Sequence, residues 1–390
     1  MAGRPSSDIR RARLSVSAGF FVFAAVLGNW ATRIPAIKAD LGLSDGELGT
    51  ALLGMALGTL AGGRLGGRPT DRYGSKPTSR ASAAVLCAAL VGPALAGDLP
   101  TLFVTLAVLG AAGGILDVAI NAQAVEVERR YRRPLLSSMH GLFSVGGLAG
   151  AAGGGLAAAA GASPRLHFAI AALVLGAASL AVLGALLPPS GDGRAVREHA
   201  STGRVGSTLW TAAVLLLGLV GFSSLVGEGS AADWSAVYLH ESLGSTPGFA
   251  AAGFAAFSFA MAACRFVADR LVARFGPVSV VRAGSLVAAG GLALGLAVHE
   301  PAAAVAGFAL LGVGLAPVVP ITFSAAGNTG LGPTGAILGR VVTISYVGLV
   351  VGPIAIGWVA EQVGLRAALG IPAALALLVA AVAGRVRIAA

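Results

Sequence analysis

Long apolar stretches recur along the whole chain, and each is bounded by charged or turn-forming residues. A helix that crosses a bilayer needs roughly 20 mostly apolar residues, so 390 residues accommodate about twelve such helices with short connections. Hydrophobic residues make up 56% of the chain and charged residues 11%, whereas about a quarter of the residues in a soluble domain are charged. We therefore expect an all-α membrane protein with twelve transmembrane helices and no sizeable soluble domain.

The bounded apolar runs predict where these helices lie. Arg10, Arg11 and Arg13 precede the first run as in a signal peptide, but no A-x-A-like cleavage site follows, so we interpret the run as a retained helix. The predicted helices cover residues 14–38, 46–67, 78–97, 99–126, 136–161, 166–187, 208–232, 247–271, 277–298, 302–326, 334–360 and 364–384.

Basic residues are distributed unevenly over the connections between these helices. With a cytoplasmic amino terminus, nearly all arginines, including Arg265, fall on the cytoplasmic side, and the outer side keeps only Arg33, Lys38, Arg165 and Arg366. Cytoplasmic loops are enriched in Lys and Arg, so we expect a multi-pass protein of the inner membrane with both termini in the cytoplasm. The net charge of +10 then reflects topology, and we expect no nucleic-acid partner.

The two halves of the chain share a pattern. The polar, proline- and glycine-bearing stretch 188–207 predicts a cytoplasmic linker between bundles 1–187 and 208–390. A shift of 202 residues superimposes several glycines and arginines: Arg68 on Arg270, Arg72 on Arg274, Gly74 on Gly276, Gly110 on Gly312, Gly146 on Gly348 and Gly150 on Gly352. We therefore expect two parallel six-helix repeats with a substrate site at the membrane midplane between them.

One motif follows the second predicted helix, from Gly67 through Asp71, Arg72 and Gly74 to Lys76. A tight turn between helices requires the conformational freedom of glycine, and an aspartate there can interact with a helix amino terminus. The motif resembles the G-x-x-x-D-R-x-G-x-K/R signature of the major facilitator superfamily. That resemblance implies a fold of two six-helix pseudo-symmetric bundles and a gating role for these five residues, with a weaker gating role for their second-half counterparts, Asp269 and Arg270.

Ionisable residues inside membrane helices are costly and therefore candidates for function. Asp117 lies well inside the fourth predicted helix, with Asn121 one turn later on the same face. We interpret Asp117 as a proton carrier or substrate ligand, and a structural pair that joins helices is the alternative. His140, near the inner end of the fifth helix, is a weaker proton-coupling candidate, and Tyr346 in the eleventh helix is a candidate for substrate binding.

The first and seventh predicted helices occupy equivalent positions in the two repeats. We expect their polar residues to bind substrate: Asn29, Trp30 and Arg33 in the first, and Glu228, Asp233 and Trp234 in the seventh. Glu228 is also a proton-coupling candidate. A pairing of Arg33 with Glu228 or Asp233 would form an outer gate, whereas simple extension of Arg33 and Asp233 to the membrane interface is the alternative.

Two further resemblances narrow the family. The run from Gly114 to Ala122 is similar to the fourth helix of fucose:proton symporters, in which an acidic residue at the position of Asp117 takes part in sugar binding and coupling. From Asn29 to Tyr238 and over nearly the whole chain, the sequence resembles the MosC-like and YbjJ-like branch of the superfamily. Ala31 stands where the fucose symporters carry an aspartate, so fucose specificity is not expected.

These features favour a secondary transporter over other membrane proteins. No G-x-x-x-x-G-K-[ST] motif occurs, and five scattered histidines provide neither a catalytic nor a metal cluster, so we expect no enzyme activity, no cofactor and no metal. We expect a monomer that moves a small polar solute with protons in a lipid membrane. Two alternatives are an exporter of drugs or natural products, suggested by Gly146, Gly150 and several phenylalanines (Phe20, Phe21, Phe257 and Phe259), and a transporter-like sensor.

Overall fold

The computed structural model describes residues 7–131, 135–188, 211–327, 329 and 334–384, and within these helices it leaves a few side chains undescribed. All regular structure in this part of the chain is helical. The contacts divide the chain into a first compact unit, residues 1–42 and 51–201, and a second, residues 43–50 and 202–390. The predicted linker 188–207 lies outside the described residues except for Pro188.

Twelve helical spans in the described chain are long and apolar enough to cross a membrane, as predicted. Six begin the chain: span 1 (Ser7–Ala31), span 2 (Asp45–Tyr73), span 3 (Ser75–Ala89 with Gly92–Leu95), span 4 (Leu99–Tyr131), span 5 (Leu136–Ala159) and span 6 (Pro164–Val182 with Leu183–Ala185). Six follow: span 7 (Ala212–Val237 with Tyr238–Ser242), span 8 (Ala252–Phe275, preceded by Pro247–Ala250), span 9 (Pro277–Val298), span 10 (Pro301–Leu315 with Val318–Gly327), span 11 (Thr334–Val363) and span 12 (Leu365–Ala368 with Gly370–Val382).

The predicted first helix, 14–38, is wrong in its carboxy-terminal part. Span 1 ends at Ala31, and a separate short helix runs over Ile34–Leu41. Pro35 lies in the first turn of this second helix, where its missing N–H costs nothing and its fixed φ suits a helix start. Arg33 therefore lies in a break between two helices rather than within a span.

The helical part of the motif from Gly67 to Lys76 is longer than predicted. Span 2 continues through Gly67 and Pro69 to Tyr73, so Gly67 occupies a helical position rather than a turn. The chain reverses at Gly74 alone, whose φ of +92° lies in a region that favours glycine. Gly276 makes the equivalent turn between spans 8 and 9 at φ +79°.

Glycines bring pairs of helices into backbone contact at repeat-related positions. A Cβ atom at Gly110 would lie less than 3.0 Å from the Met55 carbonyl oxygen, and one at Gly312 would also lie less than 3.0 Å from the Phe257 carbonyl oxygen. Each residue of the second pair follows its counterpart by 202 residues. Small residues allow this close approach of membrane helices. Spans 2 and 4 therefore pack as spans 8 and 10 do, which shows the repeat in three dimensions.

Basic side chains join the ends of antiparallel spans in both repeats, between spans 3 and 6 and between spans 9 and 12. Arg165 donates from Nε to the backbone oxygen of Ala94 (3.1 Å). Arg366 donates from Nε to the backbone oxygen of Leu296 (2.9 Å) and from a terminal nitrogen to the backbone oxygen of Ala297 (2.8 Å). At the opposite ends, Lys76 donates to Gly184 (2.7 Å) and Arg282 to Ala380 (3.3 Å). These cations satisfy carbonyls that helix ends leave unpaired and lie at the negative end of each helix dipole.

The first turn of span 2 belongs to the second compact unit. The Gly46 N–H donates to Glu361 Oε2 at the end of span 11 (2.8 Å), and Trp358 Nε1 donates to Thr50 Oγ1 (3.4 Å). A Cβ atom at Gly49 would lie 3.0 Å from the Pro353 carbonyl oxygen. Residues 43–50 therefore pack directly on span 11, while the remainder of span 2 packs in the first unit.

Candidate functional site

In the first unit, a buried polar cluster joins the carboxy-terminal end of span 1 to the start of span 6. Asn29 Nδ2 donates to the Ala25 carbonyl oxygen (2.7 Å), so Asn29 Oδ1 is the acceptor for His167 Nε2 (2.7 Å). This arrangement places the proton of a neutral His167 on Nε2 and leaves Nδ1 as an acceptor. Thr32 Oγ1 donates to the backbone carbonyl oxygen of Asn29 (3.0 Å). The Asn29 amide is thus held by protein groups.

Arg33 contacts the backbone at the other end of this cluster. Its terminal nitrogen donates to the carbonyl oxygen of Ala162, in the connection between spans 5 and 6. Burial lowers the pKa of the Arg33 guanidinium, which the nearby charge of Asp40 partly opposes, but an arginine remains protonated at neutral pH. Arg33 thus fixes the break after span 1 to the span 5–6 connection, a role that its sequence position did not suggest.

His167 is a buried residue of this cluster that the sequence did not single out. A lone histidine after Ser163-Pro164 carries no motif, and its partner Asn29 lies 138 residues away. Gly154 in span 5 makes room for the Thr32 side chain, because a Cβ atom at Gly154 would overlap the Thr32 hydroxyl. The Gly153-Gly154 pair is therefore the one local signal that a polar layer lies against span 5.

Asp117 and Asn121 form a pair within span 4, as their spacing predicted. Asn121 Nδ2 donates to Asp117 Oδ1 (3.0 Å) and to the Asp117 backbone oxygen (2.8 Å). Both side chains are partly exposed, so the pair is accessible. Glu128, on the same helix, instead accepts from the Leu135 N–H (2.6 Å) and caps the start of span 5.

In the second unit, Glu228 of span 7 faces Arg265 of span 8. The carboxylate oxygen Oε2 lies 4.0 Å from a terminal nitrogen of Arg265, and both side chains are partly exposed. Glu228 Oε1 is buried and has no hydrogen-bond partner among the described residues. The distribution of basic residues predicts Arg265 on the cytoplasmic side. Arg265 lies within the apolar stretch Pro247–Ala268, near its end, and its side of the membrane stays a prediction.

The remaining predicted substrate residues differ in their surroundings. Asp233 and Trp234 are buried in span 7, and the indole nitrogens of Trp234 and of Trp30 lack hydrogen-bond partners within the described chain. Tyr346 in span 11 is half-buried. The predicted pairing of Arg33 with Glu228 or Asp233 stays a prediction.

The predicted gating residues lie at the ends of spans 2 and 8. Asp71, Arg72 and Arg270 are exposed, whereas Lys76 is engaged with the carbonyl of Gly184. His140 and Asp269 have helical backbones, and their side chains lie outside the described part of the structure. Among the described residues, no group of three or more His, Cys, Asp or Glu side chains could hold a metal ion.

Two repeat-related units of membrane-spanning helices, with ionisable side chains held inside the spans, define a polytopic membrane transporter. The chain belongs to the Major Facilitator Superfamily, whose sequence profile matches residues 16–333 and 239–388. It is 36% identical to the transporter y4wD of Sinorhizobium fredii, over 94% of this chain and 96% of that protein. It is 32% identical to the membrane protein MosC of Rhizobium meliloti, over 94% of this chain and 88% of that protein.

A solved structure confirms the predicted fold. The D-xylose-proton symporter superposes with a TM-score of 0.77 over 97% of each chain, at 16% sequence identity. This similarity is informative about the arrangement of helices alone, because so little of the sequence is shared. The family membership, and not this superposition, identifies the protein as a transporter of the major facilitator type.

Proposed function

We propose that the protein couples the movement of a small polar solute, such as a sugar, polyol or amino-sugar-like compound, to the movement of protons. The supporting observation is the Glu228–Arg265 pair, which places two opposite charges 4.0 Å apart inside the apolar spans of the second unit. Charged residues persist in membrane helices where they bind ions or substrates.

The geometry of this pair supports a carboxylate that exchanges its partner. A distance of 4.0 Å is at the limit of an ion pair, and the second oxygen of Glu228 is buried without a partner among the described residues. A proton or a solute hydroxyl can supply the missing interaction, because either provides a donor to that oxygen. We assign proton coupling to Glu228 and a positioning role to Arg265.

In the first unit, Asp117 and Asn121 present a carboxylate and an amide that can bind hydroxyl groups of a solute. Sugars and polyols carry neighbouring hydroxyls that both donate and accept, as such a pair requires. The name of the protein of similar fold, the D-xylose-proton symporter, refers to both a sugar and a proton. Asn29 and Arg33 are less available than predicted, since protein groups already bind them, and Trp30 is buried.

We further propose that the protein lies in the inner membrane with both termini in the cytoplasm. We also propose that the ends of spans 2 and 8 gate the transporter. Asp71, Arg72, Gly74 and Arg270 retain this assignment, together with Asp233 at the outer end of span 7. Lys76 has an alternative structural role, since its ammonium group joins span 3 to span 6.

The test is transport by the purified protein in proteoliposomes, with a panel of labelled sugars and polyols and an imposed pH gradient. We expect gradient-driven accumulation by the wild type. Glu228→Gln should lose accumulation but keep exchange of labelled for unlabelled solute, since the amide still hydrogen-bonds but does not titrate. Glu300→Gln, an exposed carboxylate after span 9, is the matched control and should keep both activities.

Each other outcome has a distinct meaning. Loss of both activities in Glu228→Gln would make Glu228 a solute ligand, and unchanged accumulation would refute its role in coupling. Export of amphipathic dyes, with no flux of sugars or polyols, would favour the exporter. The structure provides little support for that alternative, because Phe20 and Phe257 are buried and Gly146 packs against the Phe21 backbone.

A further inference from the structure

The ends of spans 2 and 8 carry the same pair of surface residues. Arg72 lies with its guanidinium 5.2 Å from the centre of the Tyr73 ring, and Arg274 lies 5.3 Å from that of Phe275. Both rings are largely exposed, at 58% and 55%. The pairs are 202 residues apart in sequence. The repeat therefore conserves an exposed arginine–aromatic contact, and not only a positive charge.

The backbone holds each pair at the helix end. Tyr73 and Phe275 are the last helical residues, and the glycines that follow adopt nearly the same conformation, φ +92° and ψ 157° at Gly74 and φ +79° and ψ 155° at Gly276. Other residues rarely adopt such dihedral angles. Adjacent helical residues do not face each other, so each arginine side chain turns along the helix end to reach its ring.

The surface beside each pair is amphipathic. Leu65 and Val267 are exposed at 50% and 42%, two turns before the ring residue. Arg68 and Arg270 are exposed one turn before the arginine of each pair. Each helix end thus presents an apolar side chain, then an arginine, then an arginine on an aromatic ring. This order matches the order of environments from hydrocarbon to phosphate to headgroup in a leaflet.

We propose that each of these helix ends binds the headgroup of an anionic phospholipid in the cytoplasmic leaflet. Guanidinium groups match phosphate geometry and stack on rings, and anionic lipids attract basic residues next to the membrane. Asp71 is exposed beside the first pair, but Arg64, Arg68 and Arg72 leave the surface with net positive charge. This balance favours an anionic headgroup over a zwitterionic one. The two sites comprise Leu65, Arg68, Arg72 and Tyr73, and Val267, Arg270, Arg274 and Phe275.

The test is native mass spectrometry of the purified protein titrated with phosphatidylglycerol, and separately with phosphatidylcholine and phosphatidylethanolamine. At a phosphatidylglycerol concentration between the dissociation constants of the intact and the substituted sites, we expect up to two preferentially retained molecules for the wild type, mostly one for Arg274→Gln and mostly none for the double variant Arg72→Gln/Arg274→Gln. Each substitution should weaken its own site about fivefold, the effect of one arginine at an anionic surface. Phe275→Leu, which keeps the apolar surface but removes the ring, should also weaken the second site.

The matched control is Arg80→Gln, an exposed arginine of span 3. It should retain both lipids. A loss as large as that in Arg274→Gln would overturn the proposal in favour of diffuse attraction, as would equal retention of phosphatidylcholine. Preferential retention of phosphatidylethanolamine would overturn the choice of an anionic headgroup. Because lipid is counted without transport, the result is independent of which solute or ion the protein moves.

Discussion

Replacement of a single glycine by alanine tests the helix packing that defines the two repeats. In span 11, a Cβ atom at Gly348 would lie 2.5 Å from the Phe222 carbonyl oxygen of span 7, whereas real Cβ contacts of this kind are not shorter than 3.0 Å. The obstacle is backbone, so spans 7 and 11 must separate by about half an ångström or more. Gly339, in the same span, has no atom within 4 Å of such a Cβ atom.

The two substitutions should therefore differ in their effect on stability. Alanine in place of glycine favours a helix by about 1 kcal/mol, and this gain is common to both sites. Overpacking of a well-packed contact costs about 1–3 kcal/mol, and it applies to Gly348 alone. We expect Gly348→Ala to be less stable than Gly339→Ala by about 1–3 kcal/mol.

The assay is thermal or denaturant unfolding of both variants in the same detergent, together with wild type. Gly146→Ala, the repeat counterpart of Gly348→Ala, should behave likewise because its Cβ atom would meet the Phe21 carbonyl oxygen. Equal stability of Gly348→Ala and Gly339→Ala would refute the backbone contact between spans 7 and 11.

Three further substitutions test other contacts. Arg366→Met should destabilise the second unit by about 1.5–3 kcal/mol, because it removes a charged donor from two carbonyls at the end of span 9, and unfolding in detergent would measure the change. Replacement of His167 by alanine should lower the stability of the first unit, because it removes the hydrogen bond to Asn29. Replacement by asparagine or glutamine should lower the stability less, because the side-chain N–H can again reach Asn29. Equal losses of stability would argue against this hydrogen bond. Hydrogen bonds from Thr101 lower the pKa of the exposed Asp98 carboxylate. This contact therefore stabilises the fold above the ordinary aspartate pKa, and the stabilisation is lost as the pH falls through the lowered pKa. If the stability advantage of the wild type over Asp98→Ala did not shrink in acid, this reasoning would be contradicted.

The helical architecture could be predicted from the sequence because lipid constrains every span in the same way. Length and hydropathy were sufficient to locate all twelve spans. Gly110 and Gly312, and Arg72 and Arg274, which recur at a 202-residue offset, make repeat-related contacts in the structure. The Asp117–Asn121 pair was also predictable, because one helical turn separates the two residues.

The partners of the polar residues could not be predicted in the same way. Arg33 reaches a carbonyl 129 residues away, and no periodicity indicates which backbone group it meets. Arg265 lies in a different span from Glu228, and no feature of the sequence indicates that these two side chains face each other. In both cases the chemistry depends on which helices become neighbours, and that is a property of the folded chain.

The position of residues 43–50 in the second unit has a consequence for biogenesis. Glu361 is joined to Gly46 across 315 residues of chain, so a segment inserted early must wait until span 11 has been synthesised. A gene divided at the linker would yield a carboxy-terminal fragment without these eight residues, and Gly357 would lose its close contacts with the backbone of Asp45 and Gly49. Two independently expressed halves should therefore reassemble only if the amino-terminal fragment donates this segment, much as a strand is exchanged in a swapped dimer.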